Sequence, residues 1–181
     1  MKRGISCLIG ALGASLLTCH SVLAAGMLVK SESFQEGGAI PAKFGADVCG
    51  GNGVSPQVAW SGLPEGTKSL VVLLIDADGA NGLTVAHWLA YNISPARSQL
   101  GEAEGAQEGK GISLGKNVVG AMAYRGMCPP VGDTPHHYYL SVIATDLEPD
   151  VLRSGLTHDE LMTAIKDHAL RAQSYVGRYG R

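Results

Sequence analysis

The chain has 181 residues, 45% of them hydrophobic and 17% charged, with 14 basic and 16 acidic side chains and a formal net charge of −2. That length suits one domain with a substantial core. A slightly acidic balance without clustered Lys and Arg argues against a nucleic-acid surface, and no apolar run after the first two dozen residues is long enough to cross a bilayer as a helix.

The N-terminal segment reads as a secretory signal peptide. Lys2 and Arg3 make a positive start, an apolar run extends from Ile5 to Leu17, and the small residues of SVLAAG close it. Cleavage after Ala24 puts Val22 and Ala24 at the two positions that must be small; cleavage after Ala25 fits nearly as well. The expected organisation is a signal peptide over 1–24 and one domain over 25–181, in a periplasmic or secreted location. Two rival readings use the same residues. His20 interrupts a run already short for a membrane anchor, and Thr18 is a poor residue before a lipidated Cys19. Removing Lys2 and Arg3 from the 14 basic residues leaves 12 against 16 acidic ones, a net charge of −4.

Only Cys49 and Cys128 then remain of the 4 cysteines. Both lie in Gly- and Pro-rich stretches, and an oxidising compartment favours a disulfide between them over two free thiols. Two cysteines are too few for a thiolate zinc site.

Further along, Val58 to Trp60 is a short strand candidate. SLVVLLID, Ser69 to Asp76, is a continuous apolar run rich in β-branched residues, the pattern of a strand buried on both faces. AHWLAYNI, Ala86 to Ile93, has the aromatic and β-branched content of a second long strand. Gly101 to Gly115 is polar and Gly-rich with no apolar period, hence a loop. Val118 to Tyr124 is another short strand candidate. HYYLSVIAT, His137 to Thr145, is the third long strand. Thr157 and Glu160 form a capping box, and Leu161 and Ile165 follow at helical spacing, which predicts a helix from about His158 to Arg171. SYVGRYGR offers a last strand. These elements describe a β-rich single domain with helix confined to the C-terminal part.

Four side chains invite one shared site. Asp76 and Asp78 close a buried strand and would share a face if the strand continued through Ala77. His87 and His136 lie at the starts of two other strands. Taken singly, each has a plainer reading: Asp caps turns through its own backbone, and a histidine beside Trp88 packs well. Together they fit a divalent metal site, or an anion site in which carboxylates orient the imidazoles. His136 and His137 are adjacent, so strand alternation lets only one face the site.

CGGNGVSPQVAWSGLPEGTKSL, IDADGANGLTVAHWLAYNI, GKN at Gly115 to Asn117, GMCPPVGDTPHHYYL and HALRAQSYVGRYGR occur in that order over Cys49 to Arg181. This series resembles the phosphatidylethanolamine-binding protein family, in its bacterial Raf kinase inhibitor-like branch. The resemblance implies a mainly β fold of two antiparallel sheets with a few peripheral helices, and a small cavity for phosphate-like anions. It implies that Asp76, Asp78, His87, Gly126, Pro129, His136 and Tyr138 bind ligand, with Tyr124 a weaker candidate. His137 should point away. The family's Asp-Pro-Asp-x-Pro motif has Ala77 and Ala80 in place of its prolines here, which removes a backbone constraint beside the site.

No activated nucleophile accompanies these residues, since Ser141 has no assigned base. The expected function is therefore a non-enzymatic, exported binding protein for a small anion or phosphorylated head group, without a cofactor. A protein-interaction module, such as a protease or kinase inhibitor, is the alternative, and a metal-dependent hydrolase is the third. The resemblance also allows a protein partner and a homodimer.

Overall fold

The computed structural model describes residues 26–181. The expected signal peptide lies outside the described residues. Two antiparallel sheets make up the fold. The larger has the strand order β6 (Ser113–Leu114), β4 (Val85–Ile93), β3 (Ser69–Asp76), β7 (His136–Thr145), β8 (Ala169–Tyr179). The smaller has the order β1 (Leu28–Lys30), β2 (Val58–Ser61), β5 (Gln99–Leu100).

The apolar run of β3 is explained by its place. It pairs with β4 on one side and β7 on the other. One face, Leu70, Val72 and Leu74, joins a core with Val29, Val58, Trp60 and Leu100 of the small sheet. The other face, Val71 and Leu73, packs with Leu89 and Tyr91 beneath Leu161 and Ile165 of helix α1 (His158–Ile165). A strand covered on both faces has no position where a polar residue is cheap.

The capping box is formed: Thr157 accepts from the Glu160 amide, and the Glu160 carboxylate accepts from the Thr157 amide. The helix nevertheless stops at Ile165, not at Arg171. From Ala169 the chain is β8, which runs antiparallel to β7 from its Ala169↔Thr145 pair to its Tyr179↔His136 pair. That ladder captures residues whose local pattern is helical, a case of tertiary pairing overriding propensity.

Val118 to Tyr124 is not a strand. It folds around Asn117, whose Oδ1 accepts from the Val119 and Ala121 amides and whose Nδ2 donates to the Ala123 carbonyl. One side-chain amide supplies the bonds that a ladder would have supplied. The 101–115 segment is mostly loop, as its composition requires, but ends in the two-residue strand β6.

Cys49 and Cys128 are bonded, with Cα atoms 5.8 Å apart. The loops that carry them are also held by backbone contact. The Ala46 amide donates to the Met127 carbonyl at 2.9 Å. A Cβ on Gly126 would stand 2.2 Å from the Ala46 nitrogen, so only glycine permits this approach.

Candidate functional site

Because the large sheet is antiparallel, the end of β3 meets the beginnings of β4 and β7. Asp76 lies opposite Val85 on one side and Tyr138 on the other. His87 is two residues into β4 from Val85, and His136 opens β7. These strand ends border a cavity of about 470 Å³ lined by Asp76, His87, Arg125, Pro129, Asp133 and His136, among others.

Asp76 organises this end of the sheet. It is 4% exposed. Its Oδ1 accepts from the amides of Asp78 and Gly79 at 3.0 and 2.9 Å, and its Oδ2 lies 2.9 Å from His136 Nδ1. The two amide bonds pin the turn that follows β3. In that turn Ala80 and Asn81 adopt left-handed φ values of 51° and 59°, an arrangement that costs a residue with a Cβ about 1 kcal/mol.

A carboxylate on Nδ1 favours the imidazolium form of His136. Burial pushes the pKa of His136 down, but the hydrogen bond and charge of Asp76, aided by Asp133 and Asp78, outweigh it and leave the pKa raised above its ordinary value. His87 shifts the other way. Its Nδ1 lies 3.0 Å from the Arg125 carbonyl, which can only accept, so that nitrogen carries the proton. Burial is the largest influence and lowers its pKa. The two rings are thus unlike: His136 donates, whereas neutral His87 keeps one bare acceptor nitrogen.

β7 alternates from His136 to Ala144. His136, Tyr138, Leu140 and Val142 are buried toward the inter-sheet core, and His137, Tyr139 and Ser141 lie on the opposite face. There His137 Nδ1 and its backbone amide both meet Asp78 Oδ2, at 2.9 and 2.6 Å. Ser141 is bonded to Ser174 on the same outer face.

A family model described as phosphatidylethanolamine-binding protein matches residues 30–180. The chain belongs to the phosphatidylethanolamine-binding protein family. It is 34% identical over 171 residues to a UPF0098 protein of Aquifex aeolicus, covering 92% of this chain and 98% of that one. A UPF0098 protein of Archaeoglobus fulgidus is 34% identical over 186 residues, and the match spans 61% of its length. The crystal structure of Escherichia coli YbcL, described as a new member of the mammalian PEBP family, superposes with a TM-score of 0.80 at 28% identity, covering 87% of this chain and 99% of that one. A homologue from Chlamydia trachomatis gives 0.75 at 32% identity over 86% of this chain and 98% of that one.

Within this phosphatidylethanolamine-binding protein fold, Asp76, Asp78, His87, Pro129 and His136 all border the cavity. Asp78 departs from its expected part. The strand ends at Asp76, the chain turns, and Asp78 spends Oδ2 on His137 rather than orienting a cavity imidazole. Gly126 is a packing residue, pressed against the 45–46 backbone. Tyr124 donates to the Phe44 carbonyl at 2.6 Å. Tyr138 shares the inward face with His136 but is fully buried, edge-on to the His87 ring with centroids 5.5 Å apart. Burial, and then the nearby Asp76 charge, push its pKa up.

The Tyr138 hydroxyl makes no well-formed hydrogen bond among the described residues, and its nearest polar neighbour is the Asp76 carboxylate, which also raises its pKa. Tyr138→Phe should therefore change stability by less than about 1 kcal/mol, because it removes a buried polar atom that makes no well-formed hydrogen bond. Chemical denaturation of both proteins measures this; a loss above about 1 kcal/mol would show that the hydroxyl has a stabilising partner.

Two charged lining residues carry no signal as site residues in the sequence. Arg125 stands between Tyr124 and Gly126, inside the quoted motifs, and Asp133 is three residues before His136. Arg97 and Arg153 pair with Glu104 and Glu160, but Arg125 pairs with no described carboxylate. Among the described residues, no three His, Cys, Asp or Glu side chains are grouped to hold a metal ion.

Proposed function

We propose that this chain is a non-enzymatic binding protein whose cavity takes a small tetrahedral oxyanion, such as inorganic phosphate or a phosphorylated head group. The observation that carries the reading is that His136, backed on Nδ1 by Asp76, and Arg125 line the same cavity. One ring held in its donor form and one guanidinium offer charge-assisted bonds to separate oxygens. The bare nitrogen of neutral His87 suits an oxygen that still carries a proton. Among the described residues that line the cavity, no nucleophile stands beside a base, which supports binding over catalysis.

Calorimetric titration with phosphate and phosphoethanolamine tests the proposal, with amide shifts as a map of the site. Binding should move the signals of residues 76–80, 87, 125 and 136. Shifts confined to any other surface would refute it.

A docking role is the second reading. It is favoured by the exposed apolar side chains Val118 and Val119 at the cavity mouth. Binding of a protein partner that persists in an Arg125→Ala, His136→Ala protein, with phosphate binding lost, would favour it.

Export is part of the proposed role. The mature N-terminus should begin at Ala25 or Gly26, as read by N-terminal sequencing of purified protein. Accumulation of chains that still begin at Met1 would defeat it.

A further inference from the structure

The ring nitrogen that should meet the ligand is already faced by a carboxylate of the chain. Asp133 Oδ2 lies 3.5 Å from His136 Nε2, while Asp76 holds Nδ1 at 2.9 Å. The two carboxylates are not equivalent. Asp76 is buried, and its other oxygen anchors two backbone amides. The Asp133 side chain is 50% exposed, its contact with the ring is long, and it sits on a turn. Asp133 also borders a second cavity of about 530 Å³, shared with Pro135, Arg178, Tyr179 and Arg181. That cavity gives a displaced carboxylate somewhere to go, beside two cations.

We propose that Asp133 is an internal competitor, a tethered carboxylate that occupies the anion position at His136 Nε2 and must swing away when the ligand enters. The inference rests on the anion reading of the first cavity. Its consequence is selectivity. A tethered group competes at a high effective concentration. A free carboxylate offers His136 only what Asp133 already supplies and has a single oxygen left over, so it gains less by displacing it than a phosphate does. A phosphate or phosphate monoester has further oxygens for Arg125 while one meets His136, and so outcompetes the tether. Asp133 thereby excludes abundant small carboxylates and admits tetrahedral oxyanions.

The test is calorimetric titration of inorganic phosphate, and separately acetate, into the mature protein and its Asp133→Asn, His136→Gln and doubly substituted forms. Asp133→Asn should bind phosphate about two- to fivefold more tightly, the range expected for removing a partly exposed ion-pair partner. Acetate should compete with phosphate in Asp133→Asn but hardly in the wild type. The phosphate gain should vanish in the His136→Gln background, because the tether then has no ring cation to occupy. A gain of equal size in that background would overturn the proposal in favour of plain long-range repulsion. A loss or no change in Asp133→Asn, with phosphate still bound by the wild type, would sink the proposal and leave the anion reading intact. Failure of both the wild type and Asp133→Asn to bind phosphate would end both. As a check independent of affinity, the His136 ring should titrate at lower pH in ligand-free Asp133→Asn than in the wild type. An unchanged titration would show that Asp133 does not engage the ring.

Discussion

Replacing His136 by alanine should weaken phosphate binding by about tenfold to a hundredfold, whereas replacing His137 should leave it within about twofold. The magnitude is that of one charge-assisted hydrogen bond, roughly 1.5–3 kcal/mol. The contrast follows from β7, which turns His136 toward the cavity and His137 toward Asp78 on the outer face. pH supplies a second signature. The raised pKa of His136 means that the fold favours its cation. That contribution to stability is fully present below the unfolded histidine value of about 6.5 and is lost as pH rises through the folded value. Phosphate affinity should fall over the same rise, and the gap between wild type and His136→Ala should close with it. His87→Ala should behave differently. Its pKa is lowered by burial, so its ring is neutral where His136 is charged, and its removal should cost less affinity with little change as pH rises above neutral. Titration of the wild type and three single variants at two pH values decides this. Equal losses for His136→Ala and His137→Ala would refute the site.

Breaking the Cys49–Cys128 bond should produce the largest loss of stability. The cysteines are 79 residues apart. A closed loop of that length restricts the unfolded chain by about 4.5 kcal/mol in the chain-entropy treatment. In a domain of this size that corresponds to a Tm lowered by about 10–15 °C. Phosphate affinity should change by less than about threefold at a temperature where the protein is still folded. Cys128 itself borders the cavity beside Pro129, yet the Ala46–Met127 hydrogen bond and the close approach of Gly126 to the 45–46 backbone hold this loop without the bridge. Thermal unfolding and phosphate titration of a Cys49→Ser, Cys128→Ser protein measure both quantities. A Tm change under about 3 °C would contradict the first expectation, and a tenfold loss of affinity the second.

Three of the four long strands, β3, β4 and β7, were legible because burial leaves a pattern in composition. Ser69–Asp76 could be read residue for residue, since a strand covered on both faces tolerates little but apolar side chains. The alternation that separates His136 from His137 is likewise a local property of extended chain. The capping box marked where α1 begins, because its bonds join residues three apart. The helix end was not legible: residues 169–171 carry no local mark of the β7 ladder that captures them. Val118–Tyr124 misled for a related reason, since Asn117 satisfies that segment's backbone through a side chain.

By itself, then, the sequence determined three of the four long strands, the start of the helix, the family and most of the residues that could carry chemistry. These depend on period, composition and spacings of a few residues. The tertiary structure decided what those residues do. It gave Asp76 to His136 and Asp78 to His137, lowered the pKa of His87 by burial, sealed Tyr138 beneath the cavity, and brought Arg125 and Asp133 to its wall. Each outcome depends on distance and dielectric between groups far apart in the chain, from the 38 residues between His87 and Arg125 to the 60 between Asp76 and His136. No local pattern encodes such a separation; only the pairing of β3 with β4 and β7 in the large sheet, with the Arg125 amide bonded to the His87 carbonyl, brings these groups within reach of each other.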